Sequence, residues 1–331
     1  MAGRGCPVQP HHIHPGELLL SILLFALRRM VESIPVLLAI TVFAFAIIHL
    51  IPGDPARVML GSRASDEAVA TLRSQLGLDK PLVNQYIDFV TNAVRLEFGS
   101  SLVLRAPIGP IIAARAANSI SLLVYSVIIS LVIAVPLAIL AAVRQNRPAD
   151  HLVRLFTTLV FAMPAFWTGL LLVLIFSIQL RLFPTSGLGD GTINYLISLT
   201  LPSISIGLYL APVLLRSLRA SLIQTLSAEF VEAARARGLS EARVLFKHVL
   251  RNSLIAMLTV LGVNIGFLIS GAVVVENVFS IPGLGTMMVT SIVSRDYPMI
   301  VALTLFFGVA VVVTNLLVDL SYAVFDPRIR V

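Results

Sequence analysis

A chain of 331 residues that is 57% apolar and only 12% charged, with a mean hydropathy of +0.95, is not a soluble globular protein, in which about a quarter of residues are charged; its class is the integral membrane protein. The formal net charge of +7 does not point to nucleic acid, because the basic residues sit beside apolar stretches rather than on one soluble face. The single cysteine, Cys6, excludes an intrachain disulfide and a cysteine metal cluster, and the two lysines, Lys80 and Lys247, follow Asp79 and Phe246, so there is no Gly-Lys-Ser/Thr of a P-loop.

Residues 1–17, with Pro7, Pro10 and Pro15 and no hydrophobic period, are expected to form a disordered tail in which His11, His12 and His14 are incidental. Residues 18–331 then read as one transmembrane domain. The apolar run Leu18–Leu27 suits an interfacial helix leading into the first span. About 20 helical residues cross ~30 Å of hydrocarbon, and six stretches are that long: 33–51, 119–143, 155–180, 200–222, 254–276 and 299–324. Pro35, Pro136, Pro164, Pro202 and Pro212 fall inside them, where bundled membrane helices tolerate proline or kink at it. The expected fold class is therefore an all-α integral membrane protein with six transmembrane helices.

Between the first two spans, 52–118 is the one sizeable polar insert. It opens on the turn Pro52-Gly53-Asp54-Pro55. Asp66–Leu76 reads as a helix stopped by Gly77, and Leu82–Phe98 as another ending at Gly99. Orientation follows from the loops. Arg144, Arg147 and Arg154 lie in 144–154, and Arg216, Arg219, Arg235, Arg237, Arg243, Lys247 and Arg251 in 216–252. The opposite loops hold Arg181 alone in 181–199 and Arg295 alone in 277–298. The positive-inside rule places the first set and both termini in the cytoplasm, with the insert outside.

The segment 223–252 carries charge between two apolar stretches. Residues 228–237 suit a short helix, with Glu229 and Glu232 near its start and Arg235 and Arg237 near its end, as the helix dipole favours. Ala233 and Ala234 are small enough to admit a partner, Gly238 is a helix stop, and Ser240 can cap the next helix. In that helix Arg243, Lys247 and Arg251 recur every four residues as a basic stripe, with Val244, Leu245 and Val249 on an apolar side. On spacing alone, an ordinary cytoplasmic loop explains it equally well.

The order Glu232-Ala233-Ala234, three residues, then Gly238 resembles the EAA loop of ATP-binding-cassette importer permeases. The continuation matches at Leu250 and departs at His248, usually apolar, and Arg251, usually proline. From about Leu27 to Arg330 the chain is similar to the dipeptide/oligopeptide/nickel branch, specifically the longer of its two paired permeases. The resemblance is carried by Pro52-Gly53-Asp54-Pro55-Ala56, Leu76-Gly77-Leu78-Asp79-Lys80-Pro81-Leu82, Phe98-Gly99-Ser100-Ser101 and Pro164-Ala165-Phe166-Trp167. It continues through Phe183-Pro184-Thr185-Ser186-Gly187, Pro282-Gly283-Leu284-Gly285, Arg295-Asp296-Tyr297-Pro298 and Asp326-Pro327-Arg328. The resemblance implies a bacterial inner-membrane protein working with a second permease, two ATP-binding-cassette ATPase domains and an extracytoplasmic substrate-binding protein. ATP and magnesium would sit on the ATPases, and this chain would bind no cofactor. Glu232, Ala233, Ala234, Arg235, Arg237 and Gly238 would form the ATPase-coupling surface.

Polar residues inside the spans complete the candidates. Asp319, near the inner end of the last span, is expected to pair with Arg216, Arg219 or Arg29. Glu276 and Asn264 are candidates for the gate or pathway, although Glu276 suits equally a cap on the 277–298 loop. Gly262, Gly266, Ser270 and Gly271 form a small-residue strip that suits helix packing more than a wide pore. The expected cargo is a di- or oligopeptide, the alternative being nickel or another small solute on the same machinery. An ion-coupled carrier would leave the EAA-like loop unexplained. An intramembrane enzyme lacks any G-x-S-x-G, H-E-x-x-H or paired-aspartate motif in the spans.

Overall fold

A computed structural model describes residues 15–50, 55–61, 64–75 and 77–325. The described chain is helical. Helix α1 covers Pro15–Leu50, and the insert holds α2 (Pro55–Leu60), α3 (Asp66–Gln75) and α4 (Leu82–Val94). Then come α5 (Ile108–Val143), α6 (Pro148–Phe161), α7 (Ala165–Leu172, continuing as π-helix Val173–Gln179) and α8 (Thr192–Leu226). Helix α9 is Glu229–Ala236. Helix α10, Glu241–Arg243, passes through a π-helical segment, Val244–Leu250, into α11, Arg251–Val278. Helices α12 (Leu284–Val293) and α13 (Tyr297–Phe325) end the described chain.

Among the described residues five helices are long and apolar enough to cross a membrane, and α6 with α7 makes a sixth span if the bent pair is counted as one. The third span expected over 155–180 is sharply broken: α6 and α7 meet at 98°. Pro164 is the cause. It caps α7 with extended ψ, 142°, and a proline there offers no N–H to carry the ladder from α6. Pro136, Pro202 and Pro212 stay within α5 and α8, whose buried faces pack on each other along much of their length. The expected tail also ends early, since Pro15–Glu17 are already helical; the rest of it lies outside the described residues.

The core is organised by α8. Along α5 a stripe of small residues, Ser119, Ser126, Ser130, Ala134, Ala138 and Ala141, is buried, and its alanines share one cluster with Leu199, Ile206, Leu210 and Leu214. Small side chains let two backbones approach where lipid supplies no hydrophobic drive between helices. The two helices are close at Gly207, where an added Cβ would lie 3.0 Å from the Ser126 carbonyl oxygen. Gly207→Val is therefore expected to lower thermal stability by about 1–3 kcal/mol, read as a loss of monodisperse protein on heating in detergent. An unchanged melting profile would show that α5 and α8 can part without cost. The glycine strip on α11 packs within the chain at two positions, with Gly262 against Val318 and Gly266 near Val311 of α13, whereas Gly271 faces open space.

The insert is fastened to the bundle rather than standing free. Phe89, Ala93 and Phe98 pack on Ala44 of α1 and on Val301 and Leu305 of α13, and the Thr41 and Tyr86 hydroxyls lie 2.8 Å apart. Helix α4 stops a turn before the expected Phe98. Leu96 turns to φ +60° and the Glu97 N–H returns to the Asn92 carbonyl at 2.9 Å. Two motifs almost 200 positions apart then meet: the Ser101 hydroxyl and the Leu102 N–H both donate to the buried Asp296 carboxylate.

Candidate functional site

Helix α9 is anchored on one side and open on the other. Val231 and Ala234 are buried in the cluster that also holds Leu215, Leu218 and Leu222 of α8. Glu229, Phe230, Glu232, Ala233, Ala236 and Arg237 are exposed. Positions three apart share a helix face, so 231 and 234 root the segment while 229, 232, 233 and 236 stand outward. Ala234, expected to admit a partner, instead packs against its own chain.

The turn after α9 is tightly specified. Gly238 has φ +79°, its N–H reaches the Arg235 carbonyl at 2.9 Å, and the Leu239 N–H points back to Ala234 at 3.4 Å. This is a glycine helix stop in the left-handed region, where L side chains are disfavoured. Across it Arg235 grips Glu241 with two bonds of 2.9 and 3.2 Å. At the surface such a pair adds little stability, yet it ties the two sides of the turn together. Ser240, expected to cap α10 through its side chain, makes no such bond; its carbonyl accepts the Val244 N–H at 3.0 Å. The exit at His248 and Arg251, where the chain departs from the EAA pattern, lies in and just after the π-helical segment. Its wider turn puts Val244 and Val249, five apart, on the buried side, and leaves Arg243, Lys247 and Arg251 exposed.

Two buried carboxylates brace the bundle at opposite ends. Asp150, fully buried, accepts Arg219 Nε at 2.8 Å and Nη2 at 2.7 Å, and the Asn146 N–H at 3.0 Å. Sequence reasoning missed Asp150, although it is the sole acid in the arginine-rich stretch 144–154. Arg219, a candidate partner for Asp319, is thus committed elsewhere. Arg216 bonds the Pro212 carbonyl and lies 4.6 Å over the Phe161 ring, and Arg29 meets Glu32 at 3.5 Å. The Asp319 side chain lies outside the described residues.

At the far end of α11, Glu276 is 1% exposed. Its Oε1 accepts the Ser119 hydroxyl at 2.5 Å, and Oε2 accepts the N–H groups of Gly285 and Thr286 at 2.7 and 3.1 Å. The Ser119 oxygen accepts the Leu284 N–H at 2.8 Å. The carboxylate therefore caps α12, where unpaired N–H groups and the helix dipole favour negative charge, and it ties α5, α11 and α12 together. These bonds are those of a cap on the 277–298 loop. A Cβ on Gly283 would overlap the Glu276 carboxyl, and one on Gly285 would sit 2.5 Å from the Val273 Cα and 2.9 Å from Glu276 Oε2, which explains both glycines of Pro282-Gly283-Leu284-Gly285. Asn264 is half-buried and donates to the Val260 carbonyl of its own helix at 2.7 Å.

Comparison with known proteins agrees with this architecture. Residues 134–331 match the family described as binding-protein-dependent transport system inner membrane component, and residues 22–107 match its N-terminal companion. The chain belongs to this family. As a member of the binding-protein-dependent transport family it is a transporter permease subunit and not an enzyme, in keeping with the importer-permease motifs read from the sequence. The glutathione transport system permease protein GsiC of Escherichia coli (strain K12) is 39% identical over 306 residues, covering 92% of this chain and 98% of that protein. The protein of the same name from Shigella dysenteriae serotype 1 (strain Sd197) shows the same identity and coverage. In fold, the chain is similar to one in the MetNI methionine ABC transporter in an inward facing conformation, with a TM-score of 0.55 over 65% of this chain and 96% of that one, at 14% identity.

Proposed function

We propose that this chain is a permease subunit of an ATP-driven, binding-protein-dependent importer for di- or oligopeptides. It forms the translocation pathway with a second permease and receives its stroke from two cytoplasmic ATPase domains at Glu232–Gly238. The observation that carries this reading is the two-sidedness of α9. Its inner face is continuous with the transmembrane core through Val231 and Ala234, and its outer face is bare at Glu232, Ala233 and Arg237. A load applied to the outer face reaches α8 directly. Peptide cargo is supported by the relatives named for glutathione, itself a peptide-like solute. The test is co-expression with candidate partner genes, followed by co-purification of ATPase subunits and uptake of labelled glutathione and short peptides. A purified complex without ATPases would sink the assignment.

The orientation has its own test. The chain is assigned to the bacterial inner membrane with both termini and α9 in the cytoplasm. With Cys6 replaced, a cysteine at the exposed Val83 of α4 should react with an impermeant maleimide from outside. Cysteines at Arg147 or Glu241, both exposed, should react only after the membrane is opened. Outside labelling at position 241 would invert the topology.

A further inference from the structure

We propose that Asp150 and Arg219 form a positioning latch that makes α6 travel with the coupling end of α8, so that a stroke received by α9 is delivered to the break in the third span. The inference rests on the coupling role assigned to α9.

Helix α6 is held to the bundle along a narrow strip. Asp150, Val153 and Thr157 are its buried residues, while Leu152, Leu155 and Leu159 are more than half exposed. At its start both oxygens of Asp150 are engaged by the Arg219 fork, and the Asn146 N–H adds a third bond. Asn146 sits at φ +60°, so the turn leading into α6 is shaped around that carboxylate. At its other end Phe161 stacks on Tyr209 and lies under Arg216. Helix α6 is thus tied to α8 at both ends, antiparallel to it. The two ties differ in kind. Ring contacts allow sliding, whereas a two-pronged guanidinium–carboxylate pair fixes both distance and angle.

The latch lies on the path from the coupling loop. Arg219 precedes the end of α8 at Leu226 by seven residues, about 10 Å along the axis, and α9 begins at Glu229. Val153 of α6, Leu218 and Leu222 of α8, and Val231 and Ala234 of α9 share one buried cluster. Beyond Phe161 the chain turns by 98° into α7, which is bonded further up α8, where the Ser205 hydroxyl donates to the Ala165 carbonyl. Pro212 lies on α8 between Ser205 and Arg219, so a displacement of α9 and the coupling end of α8 relative to Ser205 moves α6 as a body and acts on the Ala162–Pro164 hinge. Without the latch α6 lags, and the stroke is lost at the hinge.

The test places nitroxides at Leu155→Cys on α6 and Ala236→Cys on α9, with Cys6 replaced, in the complete complex with its ATPases. Pulsed-dipolar distances are measured without nucleotide and with ATP and vanadate. With the latch intact the α6–α9 distance should be the same in both states. In Asp150→Asn it should shift or broaden on adding ATP and vanadate, and labelled glutathione transported per ATP hydrolysed should fall about tenfold. Asp150→Glu, which keeps the acceptor for the fork, should retain the invariant distance. An α6–α9 distance in Asp150→Asn as invariant as in the parent overturns the latch. So does failure of both Asp150→Asn and Arg219→Lys to assemble, which would make the pair a folding contact alone. If the parent complex retains no ATPase, the coupling assignment fails instead, and that outcome is separate.

Discussion

Gly238→Val combined with Ala233→Trp should abolish uptake while leaving the chain inserted and paired with its second permease. Gly238 adopts φ +79° with open space around its Cβ position. The damage from valine is therefore to the backbone: a β-branched residue in the left-handed region costs about 1–3 kcal/mol, and the turn relaxes by changing the angle between α9 and α10. Ala233 is exposed, so tryptophan there blocks an approaching surface without disturbing the chain's own packing. Ala234→Trp is the informative contrast. Ala234 is buried with Val231 in the main cluster, so the same bulk one position on should reduce the yield of folded protein itself. The measurement is ATPase co-purification, glutathione uptake and folded yield across the three variants. Normal uptake in the double variant would reduce the loop to a connector.

Glu276→Ala should be the most damaging single change in the membrane domain. It leaves the Ser119 hydroxyl and the Gly285 and Thr286 N–H groups without their acceptor in a buried site. Each unsatisfied buried group costs about 1–3 kcal/mol, so the sum is comparable with the whole stability of a typical domain, about 5–15 kcal/mol. Glu276→Gln retains an acceptor oxygen and should be milder. Gly283→Ala should approach the alanine variant, because its methyl would displace the carboxyl. Folded yield after detergent extraction, compared across the three, provides the measurement. Wild-type yield in both Glu276→Ala and Gly283→Ala would show that α12 is held by something other than this cap.

Much of the fold was legible because hydropathy is a local property. An apolar run long enough to cross a bilayer must be helical there, whatever its neighbours, since lipid offers no partner for backbone N–H and C=O groups. The positions of five spans and the existence of the helices that start at Asp66, Leu82 and Glu229 follow from that reasoning together with glycine and proline punctuation, although the expected end of the second at Phe98 falls a turn beyond Val94. Proline was legible as a perturbation but not in its degree. Pro202 and Pro212 remain inside α8, supported by α5 along its length, whereas Pro164 turns the third span by 98°. Nothing in the residues flanking these prolines distinguishes the two outcomes, because the support comes from another helix.

The same division runs through the polar residues. The chain by itself determined its class, its helical spans and its family, all of which rest on composition, period and the order of short motifs. Which polar groups meet was decided only by the tertiary structure. Arg219 is occupied by Asp150 on a helix whose direction depends on the Pro164 break. Glu276 is drawn onto α12 by a chain reversal that places two glycines against its carboxylate. Asp296 closes on Ser101 from the loop between α12 and α13. Of two adjacent alanines, the packing of α9 on α8 turned Ala234 inward and left Ala233 outside. A buried charge must find a partner, but the identity of that partner depends on the distance and angle between helices, which no single segment of sequence encodes.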